Sequence, residues 1–346
     1  MNKQTFEILK TCLLCLKKLN VCYTNTKSLF VVVFTKETVI LIIQSKTNTM
    51  DANNDNNEIT LLSFGGKYKY TLVMKYVSVW GNDNNDDGMN KLKKSKNCNQ
   101  WIPFTSNENH PIHIGRDEYC YDGVRAVIGG SDNHLLFITY QRNNISVFNL
   151  NTFQFIKHET FPTNNCINYH CFILKSEHGQ MKTNNKRSYE MLLFDQKTGL
   201  SIEYDEDNNN FQFRHIPVCK DAAPFNRYAY VCINDAILFF DGQSWKGNKS
   251  VASKTLHKYS IQKKTWSTFK HILPISLQNC FGILNEDNTH IHIIGGSNGK
   301  DAVSTHMKIK VREWIDSRQL VTFPFNTLDL HIFCNKYKYT FVLYIN

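Results

Sequence analysis

The chain is poor in charge for its length: charged residues make up 20% of 346. It is poorer still in helical pattern. Only residues 1–20 repeat apolar side chains at helical spacing, through Phe6, Leu9, Cys12, Leu13 and Leu16, and the scarcity of such stretches favours an all-β class. This passage makes a poor signal peptide, because Lys10, Lys17 and Lys18 interrupt it and no small-residue cleavage site follows. A docked terminal helix and a basic membrane-surface helix both remain open for it. No apolar run is long enough to cross a bilayer. Residues 28–43 come nearest, but Lys36 and Glu37 sit at their centre, where charge is expensive. Two strands joined by a turn fit better, so no transmembrane span is expected. The motifs G-x-x-x-x-G-K and H-E-x-x-H are missing, and the G-x-S-x-G spelled by Gly295–Gly299 lies between two strand-like runs rather than at a strand-to-helix elbow, so the signatures of a phosphate-cradling loop, a zinc protease and a serine-hydrolase elbow are all lacking.

Cysteine is present without a framework. There are 11, an odd number, scattered and often inside apolar runs such as YVCIND around Cys232. That pattern reads as buried free thiols in a reducing, cytoplasmic setting. Cys12-x-x-Cys15 with Cys22 has no second pair at zinc spacing, so no metal and no cofactor are expected. The formal net charge is +10. Half of it lies in the first fifty residues, where seven lysines face Glu7 and Glu37 (7 − 2 = +5). The rest has no dense basic run interleaved with stacking aromatics, so nucleic acid is not an expected partner.

What is abundant is apolar and aromatic material, 42% and 13%, and it recurs in a pattern. Thr289–Trp314 reads THIHIIGGSNGKDAVSTHMKIKVREW. It is a short apolar run, then Gly295-Gly296, a loop, a second strand-like run and Trp314. Ile59–Trp80, ITLLSFGGKYKYTLVMKYVSVW, repeats it with Gly65-Gly66. His134–Phe155 has Thr139 and Tyr140 at the glycine places, Glu190–Phe213 has Asp195 and Gln196 there, and Ala236–Trp266 keeps Gly242 and Trp266. Phrases such as SVFNLNTFQF, IEYDEDNNNFQF and HKYSIQKKTW share one grammar of strand, polar turn and aromatic strand. Gly123–Gly130, GVRAVIGG, reads as an inner strand of the second repeat.

The repeat resembles the Kelch motif, of the type found in the central domain of galactose-oxidase-like proteins. The resemblance implies an all-β chain: a β-propeller of about five to six four-stranded blades. Residues 38–325 would form the propeller, with Thr38–Gln44 as the first strand of its first blade. Residues 1–37 would be an atypical N-terminal segment. Residues 326–346 would be a strand-like tail able to close the ring. Tyr76, Phe153, Phe211, Trp266 and Trp314 would pack between blades. Residues 46–58, 81–100, 175–189 and 241–254 read as polar loops, with Trp245 exposed in the last.

In this family the loops after the double glycine gather on one face around the central channel and commonly bind peptides. Mapped onto this chain they are Lys67 and Lys69, Arg142, Lys197, Trp245 and Lys246, and Asn298 and Lys300. Each repeat supplies a cation, so the face would suit an acidic or phosphorylated peptide. The partner classes implied are cytoskeletal proteins and ubiquitin-ligase components. Catalytic readings are weaker. His290 and His292 share one strand face but read as a structural pair, and His110 and His113 have no clear third ligand. Tyr119-Cys120-Tyr121 evokes a copper oxidase, yet its partners cannot be placed, and the Asp-box of sialidases is missing. The expectation is therefore a non-catalytic protein-interaction platform. The alternatives are a propeller enzyme with a metal site in its channel, and a divergent or truncated Kelch copy with impaired function.

Overall fold

Runs such as Leu135–Tyr140, LLFITY, bury every residue. A strand like this must be covered on both faces. The computed structural model describes residues 33–34, 39–43, 58–66, 70–77, 100–175, 187–219, 227–240, 242–246, 249–252, 254–269, 273, 276–284, 288–294, 296–298 and 306–311. Among these every regular element is a β-strand, and every strand pairing is antiparallel. No helix among the described residues is long and apolar enough to cross a membrane.

The strands form sheets in chain order. The first sheet holds β1 (Val33–Phe34), β2 (Val39–Ile43), β3 (Glu58–Phe64), β4 (Leu72–Val77) and β5 (Ile102–Pro103). The second holds β6 (Arg125–Gly129), β7 (Leu135–Tyr140), β8 (Asn144–Asn149) and β9 (Gln154–Thr160). The third holds β10 (Cys171–Leu174), β11 (Ser188–Asp195), β12 (Thr198–Asp205) and β13 (Asn210–His215). In the fourth, β14 (Ala229–Ile233) and β15 (Ala236–Phe240) are followed by a separate hairpin, β16 (Gln243–Lys246) with β17 (Lys249–Ala252), before β18 (Leu256–Ser260) and β19 (Thr265–Phe269) complete it. The fifth holds β20 (Phe281–Leu284), β21 (His290–Ile294) and β22 (His306–Lys310).

Each sheet is a meander, and in the second, third and fourth sheets burial falls from the first strand to the last. β6 and β7 are buried throughout, whereas β9, QFIKHET, alternates exposed with half-buried residues. β13 and β19 show the same partial exposure. First strands of neighbouring sheets lie side by side, β6 with β10 and β14 with β20.

Strand alternation decides what each face meets. Leu136 and Ile138 of β7 pack with Leu62, Phe64 and Tyr121 from the first sheet and the segment after it. Phe137, between them in sequence, points the other way, into Phe172, Met191 and Tyr204 of the third sheet. Leu192 and Phe194 then meet Tyr230, Ile237 and Phe239 of the fourth. Val231, Leu238 and Phe240 meet Ile291, Ile293 and Met307 of the fifth. The sheets thus stack face to face, each on the next in sequence. Phe153, Phe211 and Trp266 pack against these inter-sheet clusters, as the sequence led us to expect. The Tyr76 side chain and Trp314 lie outside the described residues, as do residues 1–32 and the tail at 326–346.

Asparagine does much of the turning. Seven of the twelve non-glycine residues with positive φ among the described residues are Asn, including Asn143, Asn209 and Asn234. Asn enters the left-handed region at less cost than other side chains, because its short amide bonds locally. The expected long loop at 241–254 is partly regular: Gln243 pairs with Ala252, and Lys246 with Lys249, in the β16–β17 hairpin.

Phe137 is fully buried, with its ring centroid 5.1 Å from that of Tyr204. Phe137→Ala should cost about 3–5 kcal/mol of unfolding free energy, read from the urea midpoint. Ile156→Ala, at a position 38% exposed on β9, should stay within about 0.5 kcal/mol. Equal effects would overturn the stacking described here.

Candidate functional site

Five turns and the segments linking consecutive sheets meet along one edge. After β3, Gly66 has φ of 72° and donates its N–H to the Tyr121 carbonyl at 3.2 Å. After β7, Asn143 Nδ2 donates to the Thr163 carbonyl at 2.8 Å, and Asn143 Oδ1 accepts the Ile167 N–H at 3.1 Å. After β11, Thr198 Oγ1 lies 3.2 Å from Thr163 Oγ1 and accepts from Asn165 Nδ2 at 3.2 Å. After β15, the Gly242 N–H reaches the Leu277 carbonyl at 3.3 Å. After β21, Ser297 and Gln278 exchange backbone bonds of 2.9 and 2.8 Å. A Cβ on Gly296 would stand 2.8 Å from the Gln278 carbonyl oxygen, and its φ of 99° excludes most side chains. Tyr121, Thr163–Ile167 and Leu277–Gln278 all belong to segments that carry the chain from one sheet to the next.

The sequence-derived candidates fall in these turns. Arg142 is exposed in the turn that joins Tyr140 to Asn144, at φ of 63°. Lys197 is exposed in the two-residue turn closed by Asp195 and Thr198. Asn298 is exposed beside Ser297. Trp245 and Lys246 lie on β16, opposite Ser250 and Lys249. Lys67, Lys69 and Lys300 lie outside the described residues. The structure brings the Arg142 and Lys197 turns against one shared segment, residues 161–169, and the turns that begin at Gly242 and hold Ser297 against another, Leu277–Gln278.

Beneath that edge sits a polar cluster the sequence reading missed. Arg125, at the head of β6, is 5% exposed. Its Nε donates to the His170 carbonyl at 2.9 Å, and its Nη1 to the Val124 carbonyl at 3.0 Å and more loosely to Gly123 at 3.4 Å. Burial lowers its pKa, but a guanidinium stays charged at neutral pH. His170 is fully buried, its Nε2 2.6 Å from Thr139 Oγ1. The Thr139 hydroxyl also lies 3.3 Å from the Arg125 carbonyl, and which of the Thr139–His170 pair donates depends on the imidazole tautomer. Burial, and then the Arg125 charge, pull the His170 pKa well below its usual range; it is neutral at pH 7. Tyr169 donates to Asp122 Oδ2 at 2.8 Å, and Arg227 covers its ring at 4.5 Å. Burial, then the bond to Asp122, push the Tyr169 hydroxyl up to about 12. Asp195, 8% exposed, accepts the backbone N–H groups of Gln196 and Asn168. Burial outweighs those bonds and the Arg125 charge, and pushes Asp195 up to about 6.

Two signals could have pointed here. An arginine inside the apolar phrase GVRAVIGG needs buried partners. Asp195 occupies the place that Gly65 and Gly295 hold in other repeats. The residues weighed for chemistry are dispersed. Tyr121 is fully buried and stacked on Tyr140 at 4.6 Å, while Cys120 beside it is exposed. His290 and His292 lie on β21 opposite Lys310 and Lys308, and His292 is buried. His110 lies 3.5 Å from Glu108 at an exposed ion pair.

No family model matches the chain, and no curated protein matches it. Among solved structures, that of YjhT is similar over 82% of this chain and 94% of its own, at 14% identity and a TM-score of 0.48.

Arg125→Met would strip the His170 and Val124 carbonyls of a charged donor in a dry site. It should cost about 3 kcal/mol or more, read from chemical denaturation. Lys197→Ala should change stability by less than about 0.5 kcal/mol. A neutral Arg125→Met would remove this cluster from the list of structural determinants.

Proposed function

We propose that this chain is a Kelch-type β-propeller of five to six blades, and that it works as a non-catalytic protein-interaction platform. Three features support the propeller. The second, third and fourth sheets are four-stranded meanders, the sheets stack in chain order, and first strands of neighbouring sheets lie side by side, β6 with β10 and β14 with β20. Radial repetition of such sheets is one way to protect strand edges.

The observation that carries the functional reading is the shared edge of turns and linking segments. It presents polar loop residues on a rigid base, the usual placement of a binding surface. Arg142 and Lys197 are exposed there and buttressed through Asn143, Thr163, Asn165 and Thr198. A partner with clustered carboxylates or phosphates suits such a surface, because two cations displayed on anchored turns attract it. A cytoskeletal protein or a ubiquitin-ligase component is the partner class that the Kelch resemblance adds.

The test is a pull-down from lysate at low and high salt, with Arg142→Glu/Lys197→Glu beside the wild type. Circular dichroism first establishes that both are folded β proteins. Partners should be lost from the variant, with affinity down roughly tenfold or more, and should weaken with salt in the wild type. Identical partners for both proteins would sink the role given to these two cations. No specific partner for either would sink the platform.

A further inference from the structure

One backbone position recurs in four consecutive sheets. Two residues ahead of the first strand stand Gly123 before β6, Tyr169 before β10, Arg227 before β14 and Asn279 before β20. All four take positive φ, at 70°, 50°, 56° and 55°. Glycine and asparagine enter that region readily, whereas tyrosine and arginine do so at a cost. Residues held in such a conformation cluster at ligand clamps and other functional sites, where their surroundings fix them.

Here the surroundings are the neighbouring copies of the same position. The Tyr169 N–H donates to the Gly123 carbonyl at 3.3 Å, and the Asn279 N–H to the Arg227 carbonyl at 3.0 Å. Tyr169 lies over Gly123 so closely that a Cβ there would stand 2.9 Å from the Tyr169 nitrogen and 3.1 Å from its ring. The ring is fixed by the bond of its hydroxyl to Asp122 Oδ2 at 2.8 Å. Over its face, 4.5 Å from the centroid, sits the Arg227 guanidinium. Tyr169 is buried, and Arg227 is half-buried.

A guanidinium over a ring spends its charge on that contact but not its N–H donors. Arg116, Arg187 and Arg214 each pair with a carboxylate, and Arg125 donates to backbone carbonyls. Among the described residues, no side chain or carbonyl accepts from the Arg227 guanidinium, which has the Tyr169 ring as its partner. Asp122, bonded to Tyr169, and Arg125, whose Nη1 reaches the Gly123 carbonyl, bring one anion and a second cation to the same place, so the local balance stays positive.

This position adjoins the edge of turns. Tyr169 ends the segment, residues 161–169, that holds the Arg142 and Lys197 turns. Thr163, which contacts both turns, is six residues from Tyr169, about 20 Å at full extension. A short extended peptide spans that distance.

We propose that Arg227, seated on Tyr169, is a docking point for a phosphoryl group carried by a protein partner. A phosphoryl group brings about two negative charges and a set of acceptor oxygens that match the guanidinium fork; a carboxylate brings one charge. This deepens the platform reading and rests on it for the partner, while the anion site itself stands on the geometry of Tyr169 and Arg227.

The experiment titrates inorganic phosphate into the full chain and follows the arginine Nε–H signals by NMR, with acetate and chloride at equal ionic strength as separate arms. The Arg227 signal should shift saturably with phosphate and bind acetate about tenfold more weakly. Arg227→Lys keeps the charge and loses the fork, so phosphate affinity should fall about tenfold. An Arg227 signal that responds alike to all three anions would overturn the proposal, as would undiminished phosphate binding by Arg227→Lys. If that variant does not fold, the wild-type titration decides alone. A fluorescein-labelled polyglutamate peptide with one central phosphoserine, beside the same peptide with serine, tests the partner by anisotropy. The wild type should bind the phosphorylated form about tenfold more tightly, and equal affinities would overturn the phosphoryl docking. Phosphate bound at Arg227 with neither peptide bound leaves the anion site standing and counts against the platform alone. Both peptides bound alike, with a silent Arg227 signal, leaves the platform standing and overturns the site.

Discussion

A strand that is apolar on both faces cannot finish its own burial. Leu135–Tyr140 and Ala236–Phe240 are each buried at every position, so each needs a sheet above and another below. That requirement organises the described chain. Alternate residues of β7 send Leu136 and Ile138 one way and Phe137 the other, and the same division recurs at Ile237 and Leu238 of β15. Because consecutive strands pair as meanders, the neighbour available to each sheet is the next one in sequence. The stacking order is then chain order, with only short segments crossing between sheets.

Apolar contact alone would let such sheets slide, since dispersion has little direction. Polar side chains of the inner strands supply the direction. Arg125 reaches out of the second sheet to the His170 carbonyl, at the head of the third. Tyr228 and Tyr230 reach from the fourth sheet to the Phe194 and Phe172 carbonyls of the third, at 2.7 and 3.4 Å. The Asn279 N–H meets the Arg227 carbonyl between the fourth and fifth, at 3.0 Å. A sheet displaced by one residue would leave these buried groups unsatisfied, at a cost of about 1–3 kcal/mol each. Close approach adds to this register. A Cβ on Gly282 of β20 would stand 2.5 Å from the Val231 side chain of β14.

The elements were legible in the sequence because their signal is local. Apolar runs of strand length at Leu135–Tyr140 and Ile237–Phe240, and the glycine pair after β3, each declare themselves within a few residues. The resemblance of the repeats also marked Phe211 and Trp266 as inter-sheet packers. The turns of the two glycine-free repeats were harder to read, because they use other means: Arg142 and Asn143 take positive φ themselves, at 63° and 62°, while the Asp195–Thr198 turn is held by a carboxylate. The hairpin at Gln243–Ala252 was hidden by its polar composition, because a polar run leaves no apolar period to read. The buried cluster could not be read at all as a cluster. Arg125, His170 and Asp195 come from β6, the entry to β10 and the end of β11, and only the folded stack brings them together.

The two sets of charged residues answer to different constraints. Arg125 is committed: its Nε and Nη1 donate to the backbone carbonyls of His170, Val124 and Gly123, and moving it would cost the register of two sheets. Arg142 and Lys197 are not tied to the core in this way. Their turns are fixed from behind by Asn143 and Thr198, so the outward side chains can change without disturbing the stack. A surface held in place by one set of residues and displayed by another can alter its partner while keeping its shape. Asp195 stands between the two sets, buried like the first and bonded to the backbone of the second.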